Sequence, residues 1–362
     1  MRYFLVGTDW WTDCDDAVAL RVMARAVHKG EIAVRGIGIN ACMEQSVSSL
    51  TAFLRSEGLW DIPLGLDREA VDFGGNPLYQ ARLAALGGAG ISNDDAEDAA
   101  ALYLRLLRET TVPLEVVEIG YPQVLAAVLR EEPQLFAERV SRVWMMAGKW
   151  DEDPGRENNF ARNARSRTAA HYFCANCPVP VTFLGWEVSY GILIGGHLKE
   201  GDVLHQVLVD HHSENGRSGW DPMLMELAVL GDAEKAGYRA VKGKASVDPV
   251  TGENTFVRMP DGLQEYVEKQ LPDEVYRERI DALIASAGPG RTEKSRNFAV
   301  FGKVPAFLRA GNCRRAEKSV SLCYKKKVFE IERGRVSVYN KGKDRGESGD
   351  AISGKGIVKW IK

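Results

Sequence analysis

The strongest constraint in this sequence is its alternation of short apolar runs with longer amphipathic stretches. Tyr3–Gly7, Ile32–Ile39, Leu114–Ile119, Val140–Ala147 and Val179–Leu184 each have the length of a strand, and several are apolar on both faces. Between them, Ala17–His28, Ser46–Ser56, Ala96–Arg108, Gln123–Arg130 and Ser166–Phe173 carry helical spacing, and Pro222–Leu230, Gly262–Gln270 and Glu274–Ser286 extend the series. Strands buried on both faces and joined by helical crossovers predict an α/β fold. The expected form is an open, mostly parallel, Rossmann-like sheet flanked by helices.

Charge divides the 362-residue chain, whose formal net charge of −3 hides two opposite halves. Residues 289–362 hold 19 Lys and Arg against 7 Asp and Glu, leaving 28 basic and 43 acidic residues in 1–288. Ser286-Ala287-Gly288-Pro289-Gly290 ends the last helix of the acidic part, because Gly and Pro cannot continue it. Residues 1–288 are therefore read as the α/β domain. Residues 289–362 are read as a basic C-terminal extension of unknown role, either a small β-hairpin over Val328–Asn340 or a disordered tail. Its scattered aromatics match no nucleic-acid module, so nucleic acid is not the expected partner.

No apolar run approaches the ~18–20 residues of a membrane span, and six cysteines in a chain of this length are too sparse for a disulfide scaffold. A cytoplasmic, reducing setting is expected, with no membrane partner. Cys174-x-x-Cys177, three residues after His171, lacks a second pair and reads as small side chains packed at a helix end. Asp210-His211-His212 and Arg217 read as solvated surface.

The chemistry concentrates at Gly7-Thr8-Asp9-Trp10-Trp11-Thr12-Asp13-Cys14-Asp15-Asp16, directly after the first strand and before the first helix. Asp9, Asp13, Asp15 and Asp16 lie within eight positions, with no Lys or Arg between Arg2 and Arg21. Helix capping accounts for one or two such carboxylates but not for four. Gathering like charges is costly unless a cation sits among them, and a hard divalent cation takes oxygen ligands. In an open α/β sheet, ligands bind beyond the carboxyl ends of the strands. Polar residues recur at that edge: Asn40, Gly120-Tyr121-Pro122-Gln123, Glu157-Asn158-Asn159, Gly185-Trp186-Glu187 and Trp220-Asp221.

These segments, in this order, resemble the motifs of the inosine-uridine-preferring nucleoside hydrolases over residues 1–288. The resemblance implies a calcium-dependent N-ribosyl hydrolase that cleaves a nucleoside, or a related ribosyl compound, to ribose and free base. It implies a calcium ion held by Asp9, Asp16 and Asp221 with the backbone carbonyl of Gln123, and sugar contacts from Asp15, Asn40, Glu157 and Asn159. Asp9 would take a proton from the attacking water. The partner implied is a small nucleoside-like substrate, and the resemblance suggests a homo-oligomer.

The departures are as informative. The motif ordinarily opens Asp-x-Asp, whereas Gly7 holds its first position here; Asp9 precedes Asp15 by six positions rather than four. A loop two residues longer is expected, with Asp13 as an extra metal ligand or as a support for the ligands. Trp220 stands where some members carry a histidine that protonates the leaving base. It can stack on a planar leaving group but cannot act as its acid. Two other readings stay open: a non-catalytic sugar- or nucleoside-binding protein of the same fold, and a haloacid-dehalogenase-like phosphatase built on Asp13 and Asp15.

Overall fold

The computed structural model describes residues 1–285 apart from 12, 73 and 152–154, together with the strands Val320–Tyr324, Lys327–Glu332 and Arg335–Asn340. Seven strands lead the chain: β1 (Arg2–Thr8), β2 (Ile32–Ile39), β3 (Leu64–Leu66), β4 (Glu97–Asp98), β5 (Leu114–Glu118), β6 (Val140–Met146) and β7 (Val181–Leu184). Then β8 (Leu193–Ile194) pairs with β9 (Arg217–Ser218) as a short ribbon, and β10 (Tyr238–Val247), β11 (Asn254–Arg258) and β12 (Gln264–Lys269) follow. The main sheet has the order β11-β10-β12-β7-β6-β5-β1-β2-β3-β4. Every pairing from β4 to β12 across that sheet is parallel, and only β10 runs against its neighbours. The strand order reverses at β1, which places a ligand-binding crevice at its carboxyl end.

The helices are α1 (Asp15–His28), α2 (Ser46–Ser56), α3 (Leu78–Gly87), α4 (Ala99–Glu109), α5 (Gln123–Glu131), α6 (Pro133–Arg139), α7 (Asn158–Ala161), α8 (Ala164–Asn176), α9 (Trp186–Ser189), α10 (Val203–Asp210), α11 (Trp220–Leu230) and α12 (Asp273–Ala285). Successive residues of β1 feed opposite layers, as the strand period requires. Phe4 and Val6 pack with α1, α2, α11 and α12, and Leu5 packs with α4, α5 and α8. The α/β architecture expected from the sequence is the one observed.

Helix α1 is buried on every side from Asp15 to Ala26, the state of a helix covered all round. It lies against α2, α10, α11 and α12. A buried ion network fixes it there. Arg21 donates to Glu57 at 2.7 and 2.9 Å and to Asp202 at 2.7 Å through two nitrogens, and Arg25 lies 3.1 Å from Glu57. Because Glu57 follows α2 and Asp202 caps α10, this network sets the position of the first turn of α1, which carries Asp15 and Asp16.

One expectation is corrected. Gly262–Gln270, read as helical, contains β12, which pairs parallel with β7 and antiparallel with β10. Its helix-favouring Gln, Glu and Lys residues yield to pairing that buries Gln264, Tyr266 and Val267. Cys174 and Cys177 are buried near the end of α8, with their thiols pushed up by burial to about 12 and about 11, and His171 bonds the Val247 carbonyl at 2.8 Å. Among the described residues no helix is long and apolar enough to cross a membrane.

The chain divides into two compact units, Met1–Lys303 and Val304–Lys362. In the second, the three described strands pair antiparallel in sequence order, with Glu332 opposite Arg335. The hairpin expected over Val328–Asn340 falls on two of them; its turn at 333–334, and the linker expected at 286–290, lie outside the described residues.

Replacing Arg21 with Ala leaves Glu57 buried beside one arginine instead of two. The expected loss of stability is about 3 kcal/mol, measurable by denaturant unfolding. A loss near zero would show that the network does not anchor α1.

Candidate active site

The loop between β1 and α1 is shaped by a tryptophan that turns inward. Trp10 has φ 47°, a left-handed backbone conformation that is strained for a bulky residue. Burial holds it. The indole is fully buried against Phe53 and Tyr79, its Nε1 donates to Ser49 Oγ at 2.8 Å, and Gln80 donates to its carbonyl. This inward turn brings Asp9 back beside Asp16. Trp11 N–H donates to Asp9 Oδ1 at 3.0 Å, while Trp10 N–H at 3.3 Å and the Thr8 hydroxyl donate to Asp16 Oδ1.

Asp15 and Asp16 in the first turn of α1 meet Asp221 in the first turn of α11. All three are buried, with carboxylate oxygens within 4.8 Å of one another, and Asp221 N–H donates to Asp15 Oδ2 at 3.1 Å. Burial raises each carboxyl well above the usual range, and repulsion from neighbouring carboxylates raises it further. Asp9 is raised first by burial and then by Asp15, Asp13 and Glu118, against the lowering effect of the Trp11 N–H bond. A buried group of like charges in this protonation state is what a divalent cation would relieve, and its hard oxygen donors suit one. Gln123 Oε1 is buried without a hydrogen-bond partner, while its Nε2 donates to the Asn40 carbonyl.

The other sequence-predicted residues divide between the cavity and its support. The cavity, about 290 Å³, is lined by Asp9, Asp13, Asp15, Asp16 and Asp221, and also by Glu157, Asn159 and Trp220. Asn40 and Gln123 stand outside that lining. Asn40 Nδ2 donates to Glu118 at 2.8 Å, Asn40 Oδ1 accepts from Tyr121 N–H at 2.9 Å, and Gln123 Nε2 donates to the Asn40 carbonyl at 2.8 Å. Glu157 caps α7, accepting from Asn159 and Phe160 N–H and from Gly148 N–H at 2.7, 3.2 and 3.0 Å. Burial pushes Glu157 up to about 7 although these N–H donors oppose the shift. Asn159 Nδ2 donates to the Met146 carbonyl at 2.9 Å.

Asp13 is not one of the three clustered carboxylates, but its charge raises each of them. Arg217, read from sequence as solvated surface, donates to both of its oxygens at 2.8 and 2.5 Å, and this partner holds Asp13 below its usual range despite burial. Asp13 is thus a tether between the loop and β9. It lies several residues beyond the end of β1, which also removes the basis for a phosphatase with Asp13 as nucleophile. Asp210 is likewise buried and paired with Arg82 at 2.6 Å rather than solvated. Arg217 lies over the Trp220 ring at 5.2 Å, Trp220 stacks on Trp186 at 6.4 Å, and Trp186 stacks on Tyr190 at 4.4 Å. This ordered aromatic wall faces the acidic floor.

Sequence reading missed Glu118. It ends β5 beside Gly7, in register across the sheet, and is fully buried. A methyl group on Gly7 would overlap its carboxylate. The signal lay in a carboxylate closing an apolar strand, but only the β1–β5 register links it to Gly7. Burial raises Glu118 from 4.5 to about 8, opposed by N–H donors from Gly120 and Asn40.

That shift predicts a pH effect. Between about 4.5 and 8 the folded chain keeps a proton on Glu118 that the unfolded chain releases, so stability falls as pH rises through this window. Glu118→Gln preserves an acceptor for Asn40 and Gly120 and removes the ionisation. Its thermal midpoint should fall less between pH 6 and 8.5 than the parent's, with a gain on the order of 1 kcal/mol at the upper end. Parallel pH curves would contradict this assignment.

No family model matches the sequence, and no curated protein matches it. Solved structures do. An inosine-guanosine nucleoside hydrolase shares 16% identity with a TM-score of 0.61, over 79% of this chain and 99% of that one. The inosine-uridine-preferring nucleoside hydrolase of Bacillus anthracis shares 15% with a TM-score of 0.58, over 78% and 99%. The type III effector XopQ, solved with adenosine diphosphate ribose, shares 15% with a TM-score of 0.57, over 78% and 93%. Residues from β1 to α12 thus adopt the fold of the nucleoside hydrolases.

Proposed function

We propose that this chain is a calcium-dependent hydrolase of N-ribosyl bonds, releasing ribose and a free base from a nucleoside or related compound. The observation that carries the reading is the buried group Asp15, Asp16 and Asp221, with Asp9 beside it, at the crevice where the strand order reverses. The nucleoside hydrolase neighbours share the fold that makes this crevice. Asp9, Asp16 and Asp221, with the Gln123 carbonyl, would hold the calcium ion, which supplies Lewis acidity toward a water and orients sugar hydroxyls.

The chain's own residues do the remaining work. Asp9, raised by burial and by its neighbours, takes the proton from the attacking water. Asp15, Asn159 and Glu157 line the cavity where the sugar hydroxyls would lie. The ring of negative charge stabilises a sugar that becomes positive as its bond to the base breaks. Trp220 and Trp186 offer the departing base a flat surface, and neither can protonate it. Asn40 acts through the turn at Tyr121 rather than at the sugar.

A second reading has its own support: the aromatic wall carries no acid where a leaving-group histidine would stand, and XopQ is an effector with a bound ribosyl compound. A sugar-binding protein that does not turn over would look the same. Reducing-sugar release from a nucleoside panel with calcium separates the two. Hydrolysis that falls by 10²–10⁴-fold in Asp9→Ala supports the enzyme; nucleoside binding without release of sugar from any member of the panel supports the binder. Asp16→Ala and Asp221→Ala should weaken calcium binding at least about tenfold, and unchanged affinity would refute the placement of the ion.

Proton linkage gives an independent check. The raised carboxyls of Asp16 and Asp221 must lose protons when a cation binds, so calcium binding should release protons and weaken as pH falls. Calorimetric titration in two buffers of different ionisation enthalpy measures the release. Equal heats in both buffers would show that the carboxyls are already ionised.

A further inference from the structure

Asp16 is held differently from its neighbours. Asp9 and Asp15 each have one oxygen met by a single backbone N–H, Asp9 Oδ1 by Trp11 at 3.0 Å and Asp15 Oδ2 by Asp221 at 3.1 Å. Asp16 Oδ1 takes two donors, the Trp10 N–H at 3.3 Å and the Thr8 hydroxyl. Among the described residues, that hydroxyl is the one side-chain donor to any of these three carboxylates.

Thr8 is built to hold the bond in one direction. It ends β1, is fully buried, and its carbonyl accepts from Asn40 N–H at 2.9 Å, so the sheet fixes its backbone. Its branched side chain has few rotamers open to it. Trp10 N–H lies 3.1 Å from Thr8 Oγ1 and occupies an acceptor side of the hydroxyl. The hydroxyl has a single proton to give, and Asp16 Oδ1 receives it.

A carboxylate without such restraint turns readily about its last side-chain bond, because that torsion is broad. With Oδ1 engaged from the strand, Asp16 Oδ2 meets no donor among the described residues. A cation among Asp15, Asp16 and Asp221 would therefore receive from Asp16 one oxygen at a fixed place, its torsion restricted before the ion arrives.

We propose that Thr8 is a positioning residue for the cation: its hydroxyl, with the Trp10 N–H, occupies Asp16 Oδ1 and presents Oδ2 to the ion as a one-oxygen ligand. The inference rests on the placement of calcium at Asp16 proposed above, and it gives the end of β1 a part in the site that acts through another residue.

Calorimetric titration of the full chain with calcium tests it without requiring turnover. Thr8→Val removes the hydroxyl and keeps the branched shape. It should weaken calcium binding about tenfold or more, the usual cost of losing a hydrogen-bonded support behind a metal ligand. Thr8→Ser keeps the hydroxyl and should bind within about twofold of the parent. Denaturant unfolding with and without calcium is read beside it: the stability that calcium adds should shrink in Thr8→Val and persist in Thr8→Ser. Unchanged affinity in the valine variant, or a serine variant that loses as much as the valine one, would overturn the inference. If the valine variant does not fold, the serine variant decides: retained affinity supports the hydroxyl, and a tenfold loss removes its role. Asp16→Ala tells this failure from that of the calcium placement. Weakened binding in Asp16→Ala with unchanged binding in Thr8→Val removes Thr8 alone, whereas unchanged binding in Asp16→Ala removes both.

Discussion

Repulsion among carboxylates that the fold has taken out of water is the interaction around which this structure is organised. Asp9, Asp15, Asp16 and Asp221 are all buried, and each is raised by that burial and by at least one of the others. Such a group would scatter without restraint, and the restraints are visible. Trp10 is wedged under the loop, the Thr8 hydroxyl and the Trp10 N–H hold Asp16, and the Arg21 network locks α1 in place. Asp13 and Arg217 close the loop from above. Stability is given up locally where these carboxylates are concentrated, beyond the carboxyl end of β1.

The legible part of this architecture was local in sequence. β2 and α2 have the bounds expected from their patterns, because a doubly buried strand and an amphipathic helix write their period into consecutive residues. The four aspartates after β1 stood out for the same reason. Partnerships formed by distant segments left no such trace. Arg217 reaches Asp13 across 204 positions, and nothing near either residue announces the pair. β12 was misread because its side chains favour a helix while its place is set by β7 and β10.

The site also shows how a cavity can carry opposite demands at once. Its floor is acidic, one wall is a ladder of stacked aromatic rings, and arginines stand against two of its tryptophans. On the proposed reading, the carboxylates would meet the hydroxyls of a ribosyl compound and the rings its flat base. Trp11 serves two of these parts, since its backbone orders Asp9 and its ring supports Arg162.

Gly7 and Glu118 lie side by side on adjacent strands and share one volume, since any side chain at 7 meets the carboxylate of 118. Positions 7 and 118 are therefore mutually exclusive owners of a single buried acid. An aspartate could be accommodated at position 7 only if position 118 shrank in the same step, so each residue constrains which changes the other can accept. The buried acid at this level of the sheet stands on β5 and not on β1, and linear spacing along β1 cannot register a carboxyl that a neighbouring strand supplies.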